Sequence, residues 1–149
     1  MPTTYKSISQ NDIGIAVAMM REFYAIDGYP IAIEKSKKLF AAFINNADFG
    51  KSWLIYSEDE AVGYIILTFI FSFEYGGTIA FIDELYISEH ARGKGIGKSS
   101  IEFIKDQARK LSLKLLYLEV EHHNSNAQKL YLSAGFSGHN RKLMQYKIT

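Results

Sequence analysis

Residues 82–97 read IDELYISEHARGKGIG, and the order of residue types along that stretch decides the fold. Alternating apolar residues through Ile87 suit a strand, while Arg92-Gly93-Lys94-Gly95-Ile96-Gly97 supplies the flexible backbone of a tight loop. Beyond it, Ile96, Ser100, Phe103, Ile104, Ala108 and Leu111 share one helical face, with Glu102, Lys105, Asp106, Arg109 and Lys110 on the other. The stretch is therefore a strand, a glycine loop and the start of a helix. Free N–H groups in the first turn of such a helix favour an anion, and residues without Cβ let a pyrophosphate come close. Arg92, Lys94 and Lys98 add positive charge to this cradle, although a solvated glycine turn is an equally plain reading of the cluster alone.

Working outward, Lys114 to Val120 reads as a strand, so a strand, a helical crossover and another strand make a parallel pair with a right-handed connection. Asn126 to Ala134 then reads as a last helix stopped by Gly135, and Leu143 to Ile148 as a final strand, with one more short strand near Phe136. Upstream, Thr3 to Ile8 suits a first strand. Ser9 and Asp12 resemble a capping box before a helix through Ile13, Val17, Met20, Phe23 and Tyr24. A break at Asp27-Gly28-Tyr29-Pro30 separates it from a second helix over Ile33 to Phe43. Ser52 to Ser57 and Val62 to Phe73 form a hairpin around Glu58-Asp59-Glu60, and Glu74 to Gly77 turns the chain into Thr78 to Ile87. The expected fold is α/β, a mostly antiparallel mixed sheet with one parallel pair and helices on both faces. No linker or repeat divides the chain, and residues 1–149 are expected to form one domain.

Composition narrows the partners. The formal net charge of +1, from 17 basic and 16 acidic residues, gives no global field for nucleic acid or an anionic membrane. The absence of cysteine removes disulfides, thiolate metal sites and a cysteine nucleophile, and fits a reducing compartment. The N-terminus lacks the apolar core of a signal peptide, and the longest uncharged run, Ala61 to Phe73, is short of the roughly 20 residues that span a bilayer. A cytoplasmic location is the expectation. His122 and His123 lie together, but no spacing of further ligands accompanies them, and no metal is expected.

Two nucleotide motifs can be tested against the loop. The dinucleotide fingerprint fails, because the glycines fall at alternate positions 93, 95 and 97. A phosphate loop matches at Gly97-Lys98-Ser99, but Arg92 stands where its first glycine belongs. A nucleotide hydrolase or kinase of that type is thus a second reading.

The loop and a later segment together carry a resemblance. Arg92, Gly95 and Gly97 match the R/Q-x-x-G-x-G/A cofactor motif, and Asn124, Ala127, Leu130, Tyr131, Gly135 and Phe136 match N-x-x-A-x-x-L-Y…GF, of the GNAT superfamily of acyl-CoA-dependent N-acyltransferases. The chain resembles that superfamily from about Val62 to its C-terminus. The resemblance implies that residues 92–98 cradle the pyrophosphate of acetyl-CoA. It also implies that the strands at 80–87 and 114–120 splay apart, with Leu85, Tyr86 and Ile87 offering main-chain partners to the pantetheine arm and Asn124 and Ala127 completing the cofactor site. Tyr131 matches the usual general acid for the leaving thiolate, while its place on an apolar stripe with Ala127, Leu130 and Ala134 also suits a core tyrosine. Asp83 or Glu84 stands near the position of a carboxylate base; neighbours on a regular strand face opposite ways unless a bulge intervenes.

For the acceptor, Glu22, Tyr24, Asp27 and Tyr29, with Phe71, Phe73, Glu74 and Tyr75, suggest an acidic, aromatic wall suited to an ammonium, hence a small amine or polyamine-like substrate. The implied activity is acetyl transfer from acetyl-CoA to a primary amine by direct attack in a ternary complex. A third reading is an acyl-CoA-binding sensor without turnover. Homodimers are frequent in the superfamily, though no segment of the sequence identifies an interface.

Overall fold

The computed structural model describes residues 2–149. These divide into two compact units, one ending at Glu119 and one spanning Val120–Thr149. In the first, the elements run β1 (Thr3–Ser7), α1 (Ile13–Ile26), α2 (Ile33–Ile44), β2 (Gly50–Ser57), β3 (Glu60–Ser72), β4 (Gly77–Ile87), α3 (Ile96–Lys110) and β5 (Leu116–Leu118). The strands lie in the order β1-β2-β3-β4-β5, antiparallel except for the parallel β4–β5 pair. The mixed, mostly antiparallel sheet expected from the sequence is what forms.

Each junction has a local cause. Asp12 accepts from the Ser9 amide and hydroxyl, both at 2.9 Å, and from Lys6 at 2.7 Å, which fixes the entry to α1. Helix α1 ends in a Schellman closure: Gly28 (φ 74°) donates to the Ala25 carbonyl and Tyr29 to that of Tyr24, so Tyr24 sits in the last turn. The β2–β3 turn places Glu58 and Asp59 at φ 53° and 65°, the pair of left-handed residues that a type I′ hairpin needs.

The sheet is covered on both faces because adjacent strand residues point opposite ways. Leu54 packs with Val17, Met20, Phe40 and Tyr64 in the core shared with α1 and α2. Its neighbour Trp53 meets Phe103 of α3 edge-on, and Tyr5 stacks on the same ring at 3.9 Å between centroids.

In the second unit, α4 (Ser125–Ser133) is the regular element. The final strand expected at Leu143–Ile148 and the short one near Phe136 do not form. Leu143, Met144, Tyr146 and Ile148 are 70–90% exposed, and residues 140–149 make no strand ladder. Alternation of apolar and polar residues proposes a strand there, but a strand is stable only when a neighbour takes up its backbone groups. Strand β5 is likewise shorter than the expected 114–120, although Lys114 still donates to the Thr78 carbonyl beside it.

Candidate active site

Asp83 and Glu84 lie where the sheet register slips. Ile66 pairs with Glu84 and Leu67 with Ile82, which leaves Asp83 as the extra residue of a β-bulge. The bulge cancels the alternation of a regular strand, and both carboxylates line one cavity of about 550 Å³. Most of its wall is apolar: Met20 of α1, Ile31 of the α1–α2 connection, and Leu39, Phe40 and Phe43 of α2 face Ile66 of β3. Phe49, just before β2, and Thr68 extend the wall, Tyr24 stands beside the carboxylates, and Lys35 and Ser36 are further polar members.

Glu84 is held from both sides. Tyr24 donates to its Oε2 and Tyr64 to its Oε1, each at 2.6 Å. These are short bonds of the kind made to an ionised acceptor. Burial nevertheless dominates and raises the Glu84 pKa, with Asp83 adding an upward push while the two phenols pull it down. Asp83 is exposed by surface area, yet partial desolvation at the cavity wall raises its carboxyl as well. Burial first, and then the hydrogen bond to Glu84 together with its charge, push the Tyr24 and Tyr64 hydroxyls far above the usual phenol range, so both stay protonated donors. The result is a pair of carboxylates poised closer to neutrality than free ones, one of them fixed in orientation.

Strand β4 loses its parallel neighbour at the same place. The β4–β5 register covers Ala80–Ile82 against Leu116–Leu118 and stops there. From Glu84 to Ile87 the ladder among the described residues runs with β3 alone, so the other edge of Leu85, Tyr86 and Ile87 carries no strand, and the Ile87 carbonyl there accepts from Arg92. On the closed side, Gly63 lies so near β4 that a Cβ would come within 2.1 Å of the Tyr86 carbonyl oxygen.

The glycine loop follows. Gly93 and Gly95 take φ 78° and 81°, and a Cβ at either would meet nothing, so backbone conformation rather than space selects glycine. Gly95 is the N-cap of α3 and Ser99 donates to its carbonyl at 3.1 Å, so the amides of Ile96, Gly97 and Lys98 open the helix. Lys94 and Lys98 are exposed around them. Arg92 is partly committed: its Nε donates to the Ile87 carbonyl at 2.9 Å, and its guanidinium lies 5.8 Å from the Tyr86 ring centroid.

In the second unit, the Asn124 side chain caps α4 by accepting from the Ala127 amide at 3.1 Å. The other end explains the spacing of the later motif. Phe136 donates to the Tyr131 carbonyl and Gly135, at φ 98°, to that of Leu132, a complete Schellman closure. The Tyr131 and Phe136 rings meet edge-on at 5.8 Å, the apolar contact that accompanies it. Burial raises the Tyr131 hydroxyl pKa, which keeps it in the protonated form a proton donor needs.

Of the four acceptor residues expected in the first two helices, Tyr24 lines the carboxylate cavity. Glu22 lines a separate polar cleft and accepts from the Tyr86 hydroxyl at 3.0 Å. Asp27 and Tyr29 fall in the closure after α1, with Tyr29 exposed, and Phe71 and Phe73 are exposed at the β3–β4 turn. Sequence reasoning missed Tyr64, hidden in the apolar run of β3. It also missed the wall residues of α2, where Phe40 and Phe43 look like ordinary core positions.

Comparisons with known proteins agree on what this architecture is. The family described as Acetyltransferase (GNAT) family matches residues 17–136. A D-amino-acid N-acetyltransferase of Saccharomyces cerevisiae, HPA3, is 34% identical over 58 residues, 39% of this chain and 36% of the yeast enzyme, so the match spans about a third of that relative's length. An integron cassette protein from the mobile metagenome of Cole Harbour Salt Marsh superposes with a TM-score of 0.88 at 31% identity, covering 97% of this chain and 90% of that one. A predicted acetyltransferase with acetyl-CoA from Clostridium acetobutylicum has a TM-score of 0.81 at 15% identity, covers 97% of this chain and 96% of its own, and shares the fold. With 120 consecutive residues matched and the bulged, opened β4 followed by its glycine loop, the chain belongs to the GNAT acetyltransferase family.

Proposed function

We propose that the protein transfers an acetyl group from acetyl-CoA to a primary amine by direct attack in a ternary complex. The observation that carries the reading is the bulge at Asp83, which brings two carboxylates to one cavity where β4 gives up its partner strand. In this reading, the amides of residues 96–98, with Gly93, Gly95, Lys94, Lys98 and the free nitrogens of Arg92, hold the pyrophosphate of the cofactor. The open edge of Leu85, Tyr86 and Ile87 pairs with the amides of its pantetheine arm. Asn124 and Ala127 are assigned to the cofactor through the family motif.

An acceptor arrives as an ammonium and must lose a proton before it attacks. Glu84 is the favoured base, because two phenols fix its direction and burial raises its basicity; Asp83 is the second carboxylate that draws the cation in. The neutral nitrogen attacks the thioester carbonyl carbon, the C–N bond forms and the C–S bond breaks; the thiolate takes a proton from Tyr131, assigned by the family motif, and the second proton shed by the acylated nitrogen restores the phenol.

Thiol release from acetyl-CoA over a panel of amines tests the proposal. Amine-dependent release in the native protein, reduced at least a hundredfold in Glu84→Gln, is the expected result. Acetyl-CoA binding without release on any amine overturns it in favour of a sensor. Thermal stabilisation by ATP and Mg²⁺, with none by acetyl-CoA, overturns the cofactor assignment itself.

A further inference from the structure

The geometry points to an acceptor that is a primary monoamine on an apolar body, in place of the polyamine-like molecule that the acidic residues of the sequence suggest. This inference rests on the acetyl-transfer reading and concerns the same cavity. The charged groups of its lining are unevenly placed in kind: Asp83 and Glu84 supply the negative charge, Lys35 is the one other charged residue, and the rest of the wall is predominantly hydrocarbon. A cation held at Asp83 and Glu84 extends its body along Ile31, Phe40, Phe43 and Ile66. Leu39 and Phe49 border the same space while remaining 61% and 51% exposed, so two large apolar side chains stay open to water until something apolar covers them.

Each competing class conflicts with this lining. The second ammonium of a polyamine would be stripped of water against aromatic and aliphatic side chains, with the Lys35 cation as the charged group remaining. An α-amino acid brings a carboxylate within two bonds of the nitrogen, hence beside Asp83 and Glu84, where like charges repel. A lone amine on an alkyl or aryl body meets neither difficulty. A cavity of about 550 Å³ lies in the range that accepts a body of several carbons.

The test is a homologous series of n-alkylamines from butyl to octyl, with phenethylamine, putrescine, spermidine and phenylalanine, read as kcat/KM for acetyl-CoA-dependent thiol release. Each buried methylene is expected to raise kcat/KM roughly three- to fourfold. Octylamine and phenethylamine should exceed putrescine and phenylalanine by about tenfold or more. Leu39→Asn and Phe49→Ser, both at exposed positions that leave the core intact, should flatten the chain-length slope, and an unchanged slope in both variants overturns the inference. A flat series, or a preference for spermidine or phenylalanine, overturns the inference and leaves acetyl transfer standing. Thermal shift separates the two readings: octylamine raising Tm more than spermidine, without turnover on any amine, refutes acetyl transfer alone. Equal shifts by both refute the apolar acceptor.

Discussion

Replacing Tyr64 by Phe removes one oxygen and asks what the paired phenols do for Glu84. The ring is fully buried between Phe23 and Tyr86, so the variant keeps its packing and loses the 2.6 Å bond to Oε1. A hydrogen bond to a charged group contributes about 1.5–3 kcal/mol, and one to a neutral group about 0.5–1.5 kcal/mol. The cost of Tyr64→Phe therefore depends on the ionisation of Glu84. At about 2–4 °C per kcal/mol for a chain of this size, Tm should fall by roughly 3–12 °C where Glu84 is charged and roughly 1–6 °C where it is protonated. The sign follows from the raised folded-state pKa of Glu84. Its contribution is complete below the unfolded value and is lost as pH rises through the folded one. Removing a donor to the charged form raises the folded value further. The decline begins at the same pH in both proteins, runs to higher pH in the variant, and ends deeper. Calorimetric Tm measured from pH 4 to 9 gives the first readout, and the acidic limb of kcat/KM, shifted to higher pH with its plateau retained, gives the second. Parallel stability curves for native protein and variant would refute the reasoning. A shifted stability curve with an unmoved acidic limb would transfer the base role to Asp83.

Three further perturbations probe the surrounding scaffold. Gly95→Val puts a β-branched residue at φ 81°, costs about 1–2 kcal/mol in backbone strain, and should weaken coenzyme A binding at least tenfold by calorimetric titration; unchanged affinity removes the loop from the pyrophosphate site. Gly63→Ala drives a Cβ to within 2.1 Å of the Tyr86 carbonyl oxygen, so a loss of about 2 kcal/mol or more in urea unfolding is expected, and a neutral outcome would mean that the strands part easily at Tyr86. Tyr131→Phe retains the ring against Phe136 and should lower kcat while leaving coenzyme A affinity within about twofold; unchanged kcat dismisses the hydroxyl as acid.

The parts of the fold that the sequence made legible are those fixed by local chemistry. The loop needs φ near 80° at Gly93 and Gly95, and the α4 terminus needs Gly135 with a ring at Phe136, so both motifs carry their backbone requirements in a few adjacent residues. Strand ends were less legible: Leu143–Ile148 has the alternation of a strand, but no period in one segment can supply a hydrogen-bonding partner.

The carboxylate-lined cavity was hidden for a different reason. The orientation of Asp83 and Glu84 turns on one slipped residue between β3 and β4, a property of two strands in register that neither strand carries alone. Tyr64 becomes part of the site only because that register sets Tyr64 against Tyr86 and Ile66 against Glu84. The same holds for Phe40 and Phe43, which continue a core stripe of α2 until the opposing β3 and β4 residues turn part of that stripe into a wall. A cofactor loop is read by one short segment of chain, so its motif is compact. The cavity wall is distributed over α1, α2, β3 and β4, and its apolar positions can change without touching the motif. If this cavity takes the acceptor as proposed, two members of the family can share Arg92, Gly95 and Gly97 in kind and still differ in acceptor through the apolar wall that faces the carboxylates.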